Sequence, residues 1–127
     1  MSLESDLARV RGLGSAKHGT HTFWHQRITA IALIPLSLWF VTGLICVMDA
    51  THAEAVAWIK TPYVTTLLIA LIAALLYHVK IGMQEVFEDY IHTEWLKISS
   101  RICLNLGTAL CGLLSIVAIL KISFGTF

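Results

Sequence analysis

His78 is the residue whose type and position most strongly indicate chemistry in this chain of 127 residues. It lies near the end of residues 61–79, a stretch that contains no Asp, Glu, Lys or Arg. An ionisable side chain is costly in such apolar surroundings and suggests a function by default. Its imidazole either forms a hydrogen bond to another helix or is an axial ligand of haem iron, a role that a neutral imidazole suits. Sequence physics alone leaves both interpretations open.

Two further observations favour haem. Gly82 lies about one helical turn after His78, on the same face, and has no side chain where a flat macrocycle would pack, although glycine also permits close helix packing. The other five histidines all lie outside the apolar stretches: His18, His21, His25, His52 and His92. A six-coordinate b-type haem has two axial ligands. A haem bound by His78 would therefore take its second ligand from another chain and be shared between subunits.

Arg27, Asp89 and Tyr90 lie where the apolar stretches meet polar sequence. An arginine at such a place usually reaches lipid phosphates, but its planar guanidinium also suits the propionates of a haem. Asp89 and Tyr90 follow His78 by 11 and 12 residues, so on one helix they lie about 18 Å further along. An interfacial tyrosine usually belongs to the aromatic belt, whereas a phenol beside a carboxylate can also hydrogen-bond a quinone carbonyl.

Three uncharged stretches must position these residues: 28–48, 61–79 and 102–120. About 20 apolar residues cross a bilayer core as a helix, and a helix satisfies every backbone polar group there. The sequence therefore predicts an all-α membrane protein with three transmembrane helices, at 28–48, 62–87 and 102–121. The second helix is expected to continue to Ile91 and to outrun the membrane. Residues 1–27 are expected to form a cytoplasmic N-terminal segment, and 28–127 the three-helix anchor domain.

Charge placement predicts the orientation of these helices. The N-terminal segment has four Lys or Arg residues, the first loop (49–60) has one, and the second loop (88–101) has Lys97 and Arg101. Positive loops face the cytoplasm. The N-terminus and the second loop are therefore expected on the cytoplasmic side of the inner membrane, with the first loop and the C-terminus outside.

The composition argues against several classes of protein. Hydrophobic residues make up 57% of the chain and charged residues 13%, whereas soluble domains carry about 25% charged residues. A net charge of +1 provides no basic surface for nucleic acid. The three cysteines all lie in apolar stretches, which argues against disulfides or a CxxC metal site. A small transporter would be expected to place an acidic residue inside a span, and none of the three stretches has one.

Two segments resemble the hydrophobic membrane anchors of succinate dehydrogenase. Residues 19–31, GTHTFWHQRITAI, resemble the entry to that family's first helix. Residues 78–90, HVKIGMQEVFEDY, are similar to its H-x3-G-M-x2-V-x2-DY block, with histidine, glycine, aspartate and tyrosine in register. The likeness extends over most of the chain in span number, length and order. Lys80 is a departure, because a charge two residues after the histidine is unusual for the family.

The resemblance implies the D-type anchor of respiratory complex II, part of a heteromeric helix bundle. It implies that His78 is a haem b ligand, that Tyr90 contacts ubiquinone with Asp89 beside it, and that Arg27 and His21 lie near the haem propionates. The sister cytochrome b anchor typically has an S-P-H-L stretch and an H-R-x-T-G entry. This chain lacks S-P-H-L, and Ile-Thr-Ala follows its Arg27, so the D-type is favoured.

The expected function is electron transfer to ubiquinone in succinate:quinone oxidoreductase. The chain has no flavin or iron–sulfur motif, so succinate oxidation is expected in partner subunits: a flavoprotein, an iron–sulfur subunit and the cytochrome b anchor. The chain alone is not expected to be an enzyme. A fumarate reductase anchor is an alternative within the family. From a different class, a structural anchor or transporter without haem is the alternative.

Overall fold

The computed structural model describes residues 5–12 and 19–125, so the predicted N-terminal segment lies partly outside the described residues. A short helix, α1, spans Asp6–Val10. Four longer helices follow: α2 at Gly19–Cys46, α3 at His52–Lys60, α4 at Pro62–Tyr90 and α5 at Glu94–Phe124. Three of them, α2, α4 and α5, are long and apolar enough to cross a membrane. The predicted all-α fold with three spans is confirmed.

The prediction of a loop across 88–101 is wrong. Helix α4 continues to Tyr90, and α5 already begins at Glu94, so Lys97 and Arg101 lie on the first turns of α5. No Gly or Pro occurs between residues 88 and 101, and only such residues strongly oppose helix formation. Both helices therefore extend beyond the apolar stretches that defined the spans, and an ion pair from Arg101 to Glu88 connects them.

The first predicted loop contains a helix, α3, that hydropathy did not reveal. Its start is a capping box: Glu54 N–H donates to Thr51 Oγ1, and Thr51 N–H donates to Glu54 Oε2 at 2.7 Å. This arrangement satisfies two backbone donors that a helix start otherwise leaves free. The Thr-x-x-Glu spacing at 51–54 is its sequence signature. The polar cap thus converts a short inter-span segment into two and a half turns of helix.

The capping box predicts an acid titration. The backbone hydrogen bond from Thr51, reinforced by its hydroxyl, lowers the pKa of Glu54 below 4.5. A carboxyl with a lowered folded pKa stabilises the fold above its unfolded pKa, and this contribution disappears as the pH falls through the folded value. We expect carboxyl ¹³C NMR to show Glu54 titrating below ordinary glutamates, and Thr51→Val to raise its midpoint only partly, because the backbone bond remains. An unchanged midpoint in Thr51→Val would show that the hydroxyl contributes nothing.

Helix α4 lies between α2 and α5, and the Cα atoms of α2 and α5 nowhere approach within 8 Å in the described residues. The buried core of Val64, Leu68 and Ile119 joins α4 to α5 near α3. Trp39 of α2 stacks on Trp58 of α3, with ring centroids 6.2 Å apart. The three spans therefore form a row with α4 at its centre, and most of the packing is at the α3 end.

Polar bonds reinforce that end. Thr65 donates a hydrogen bond to the carbonyl of Ile59 at 2.6 Å, and its hydroxyl lies 3.1 Å from that of Ser123. The Lys60 ammonium donates to the carbonyl of Gly125 at 2.8 Å, which places a cation at the negative end of the α5 dipole. These contacts tie α3, α4 and the end of α5 together.

Candidate functional site

His78 faces α2 and contacts Thr29. The Nδ1 atom of His78 lies 2.9 Å from Thr29 Oγ1, and both groups are partly buried. The same hydroxyl lies 2.8 Å from the carbonyl oxygen of His25 and 3.0 Å from that of Gln26. The sequence predicted the histidine but not this partner, because a threonine that can bond its own helix gives no tertiary signal.

The distances around Thr29 allow a form of His78 that can ligate a metal. A hydroxyl has one hydrogen and can also accept bonds. When Thr29 donates that hydrogen to a carbonyl of its own helix, that of His25 or Gln26, its oxygen can accept Nδ1–H of His78 from 2.9 Å away. The Nε2 atom of neutral His78 is left with a free lone pair, which is the form that ligates a metal.

Gly82 faces the same helix as His78. A Cβ atom added there would meet only the Gln26 side-chain nitrogen, at 3.6 Å, which is an ordinary contact. Packing between α2 and α4 therefore does not itself require a glycine at this position. Gln26 Oε1 is buried beside this contact and has no hydrogen-bond partner within the described residues.

Arg27 lies away from this seam. Its guanidinium carbon is 4.6 Å from the centre of the exposed Phe23 ring, a cation–π contact on the outer surface of α2. Residues two positions apart on an α-helix are separated by about 200° around its axis. Arg27 therefore lies on the opposite side of α2 from Thr29. His21 is about 120° from Arg27 by the same geometry. The structure therefore does not bring Arg27 and His21 together on one face.

His21 instead belongs to a chain of hydrogen-bonded side chains that connects α2 to α4. Its Nε2 lies 3.1 Å from Nε2 of His25, with ring centroids 4.2 Å apart. On the other side of the His25 ring, Nδ1 lies 3.1 Å from the hydroxyl of Tyr77. Sequence reasoning missed the roles of His25 and Tyr77. The spacing of four between the two histidines indicates a shared helix face, but the link to Tyr77 depends on tertiary packing.

These three residues line a polar cavity of about 260 Å³ between the three spans. Lys80 of α4 and Asn105 of α5 also line this cavity. The Oδ1 atom of Asn105 is buried and has no partner within the described residues. The remaining lining residues are Thr22, Ile81 and Gln84.

Asp89 and Tyr90 end α4 and are exposed; Tyr90 is 79% accessible in this single chain. They lie about 18 Å along the helix from His78. The carbonyl of Tyr90 is 3.2 Å from Nδ1 of His92 just beyond the helix end. The phenol and the carboxylate thus face outward at the end of the row that is opposite α3.

No cluster of three or more His, Cys, Asp or Glu suited to a metal ion occurs in residues 5–12 and 19–125. His78 alone is consistent with one ligand per chain. The donor set fits one side of a haem, because Nδ1 of His78 is held by Thr29 and Nε2 has no hydrogen-bond partner within the described residues.

Comparisons with known proteins agree with this architecture. Residues 1–122 match the family of succinate dehydrogenase/fumarate reductase transmembrane subunits. A succinate dehydrogenase hydrophobic membrane anchor subunit from Rickettsia bellii is 36% identical over 117 residues, covering 91% of this chain and 92% of that protein. Its namesake in Rickettsia conorii is 30% identical over 95 residues, covering 74% and 75%. No solved structure matches the chain.

Proposed function

Because the chain belongs to the succinate dehydrogenase/fumarate reductase transmembrane subunits, we propose that it supplies one axial ligand of a shared haem b and part of a ubiquinone site. The chain is a membrane anchor subunit of succinate dehydrogenase and a multi-pass protein of the bacterial inner membrane. Electrons from succinate oxidation in the partner subunits would cross it to the quinone. The bond between His78 and Thr29 is the observation that carries the haem proposal.

The contact between Thr29 and Nδ1 of His78 supports a role of His78 as a haem ligand. A metal-binding histidine almost always donates its other ring N–H to a neighbouring acceptor, which fixes the tautomer and the plane of the ring. Thr29 Oγ1 lies 2.9 Å from Nδ1 of His78 and can accept such a bond within the same chain. A histidine that only joined two helices would need no free nitrogen. Nε2 of His78 is available to iron and is held in place before a partner arrives.

The sharing of the haem follows from the other histidines. In the structure, His21 and His25 bond to each other, and His25 also bonds to Tyr77. His52 begins α3 at the opposite end of the row, and His92 follows α4. Among the histidines in residues 5–12 and 19–125, His78 alone combines a place within an uncharged apolar stretch with a bonded Nδ1, so the second axial ligand would come from the cytochrome b anchor subunit.

The proposed quinone site lies at the end of α4. Ubiquinone reduction takes two electrons and two protons, and when bound, the haem supplies reversible one-electron transfer. The Tyr90 hydroxyl can donate a hydrogen bond to a quinone carbonyl, and Asp89 beside it can pass protons from water. Both residues are exposed to the surface of the chain. A quinone in contact with the partner subunits could therefore reach them without crossing the helix row.

The orientation belongs to the same proposal. The start of α2, the end of α4 and the start of α5 lie at one end of the row, with Lys97 and Arg101 on α5. Positive residues favour the cytoplasmic side, which would face the iron–sulfur subunit. His21 lies in the first turn of α2 and therefore at the same end of the helix row. His21 and Arg27 remain candidates for the haem propionates, on separate faces of α2.

A reduced-minus-oxidised spectrum of the purified complex tests the proposal. We expect dithionite reduction to produce the bands of a b-type haem. A colourless complex prepared with full haem supply would instead favour a structural anchor without haem. Co-purification of the three partner subunits with a tagged chain checks the assembly.

Thr29→Val tests the hydrogen bond between Thr29 and Nδ1 of His78. The change keeps the branched shape of the side chain and removes the acceptor for Nδ1–H of His78, so we expect haem affinity to fall by about 10–100-fold. Thr42→Val is the matched control, because Thr42 makes the same bonds to its own helix carbonyls, those of Leu38 and Trp39. Haem titration of membranes from both variants measures the effect. Equal haem affinity in the two variants would contradict the role of Thr29.

A further inference from the structure

The paired histidines at the start of α2 have no role in ligating the haem proposed above. His21 and His25 are four residues apart, so their rings lie on one face of the helix. The two Nε2 atoms are 3.1 Å apart and the rings are tilted by 42°. From this geometry we infer that His21 and His25 form a binding site for a divalent transition metal such as Zn²⁺, with water completing the coordination.

The nitrogen separation fits zinc. Zinc binds imidazole nitrogen at about 2.0–2.1 Å in tetrahedral geometry, which places two ligand nitrogens about 3.4 Å apart. The observed 3.1 Å between the two Nε2 atoms needs to open by only a few tenths of an ångström. The proton between the rings would move to Nδ1 of His21 as the metal takes its Nε2, so that both imidazoles bind as neutral ligands. Two histidines at this spacing on a helix are also the ligand pair of many zinc enzymes.

The surroundings supply an outer shell. The hydroxyl of Tyr77 lies 3.1 Å from Nδ1 of His25 and can accept its N–H, which holds Nε2 as the unprotonated ligand atom. The rings face the cavity of about 260 Å³, which has room for several waters.

One group opposes the metal. Lys80 is among the residues that line the same cavity, and its positive charge repels a cation. No Asp or Glu is among the residues that line the cavity, so nothing there offsets this charge. The site should therefore be weak enough to exchange metal with its surroundings, and its affinity should be set by Lys80. Zinc would join α2 to α4 through His25 and Tyr77, which makes the site a means of rigidifying this end of the row.

Zinc titration of the purified complex against a fluorescent chelator tests the inference. We expect one Zn²⁺ equivalent whose affinity falls at least about tenfold in His21→Ala and in His25→Ala. His92→Ala, which changes another exposed histidine, should leave it unaffected. Tyr77→Phe should also weaken binding about tenfold, because it removes the hydroxyl that holds Nδ1 of His25 and such hydrogen bonds to a ligand typically contribute about 10–100-fold in affinity. Mg²⁺, which prefers oxygen ligands, should not compete.

Lys80→Met provides a test that misfolding cannot imitate. Removing the charge while keeping the length of the side chain should strengthen Zn²⁺ binding several-fold. Equal zinc affinity in wild type and His25→Ala, or no gain in Lys80→Met, would overturn the inference. The readout does not use haem, so a colourless complex that still binds zinc would refute only the haem proposal.

Discussion

Complexes that carry His78→Ala should retain less than about a tenth of the wild-type haem, since even second-shell changes cost 10–100-fold in metal affinity. The substitution removes the axial nitrogen and leaves the hydroxyl of Thr29 without the donor that lies 2.9 Å away in the wild type. Pyridine haemochrome assay of the purified complex measures the haem content. His92→Ala, which alters an exposed histidine beyond the end of α4, should retain full haem.

A second substitution separates ligand loss from misfolding. Methionine can also serve as an axial ligand and raises the reduction potential of a haem when it replaces a nitrogen ligand. His78→Met should therefore recover part of the haem lost in His78→Ala, with a higher midpoint potential. Full haem with an unchanged potential in His78→Ala would show that the iron is ligated elsewhere.

Tyr90→Phe should slow the reduction of ubiquinone by succinate. The substitution removes the hydroxyl group and keeps the aromatic ring. A neutral hydrogen bond of about 1 kcal/mol corresponds to roughly fivefold, and a bond that strengthens as charge develops on the carbonyl oxygen can reach about 100-fold. Haem content and succinate oxidation by an artificial acceptor at the soluble subunits should survive, because neither uses this phenol.

Tyr63→Phe is the matched control for Tyr90→Phe. Tyr63 is also an exposed tyrosine of α4, 60% accessible against 79% for Tyr90, but it lies at the α3 end of the helix. If Tyr90 only anchors α4 at the membrane surface, both variants should behave like the wild type in both assays. A wild-type rate of ubiquinone reduction in Tyr90→Phe would therefore remove this residue from the proposed site.

The sequence was most informative where the membrane leaves little choice. An uncharged stretch of about 20 residues can cross a bilayer only as a helix, so the spans and the depth of His78 could be predicted. The extension of α4 past the membrane could also be predicted, to within one residue of its end at Tyr90. The start of α5 at Glu94 could not, because hydropathy ends at the membrane surface and helix formation does not. The Thr51-x-x-Glu54 spacing could have indicated the cap of α3. This signal is local and polar, so a search for apolar stretches does not detect it.

Rotation of each helix about its own axis was not predictable. Arg27 and His21 are near one another in sequence, but in the structure His21 lies against His25, which bonds Tyr77 of α4, and Arg27 lies on Phe23. Thr29 became recognisable as the partner of His78 only once both helices were placed. These orientations depend on many small contacts spread along the seam, and no spacing within one helix encodes them.

The uneven packing along the helix row has a consequence for hydrogen exchange. The buried core and the bonds of Thr65 and Lys60 all lie at the α3 end, whereas the opposite end encloses a polar cavity. Local opening requires the loss of fewer contacts where packing is sparse. Amide protection should therefore decline along α4 from Leu68 toward Tyr90. The end that we propose as the site of the cofactor and the partner subunits would then be the less protected one, and it would become rigid on assembly with them.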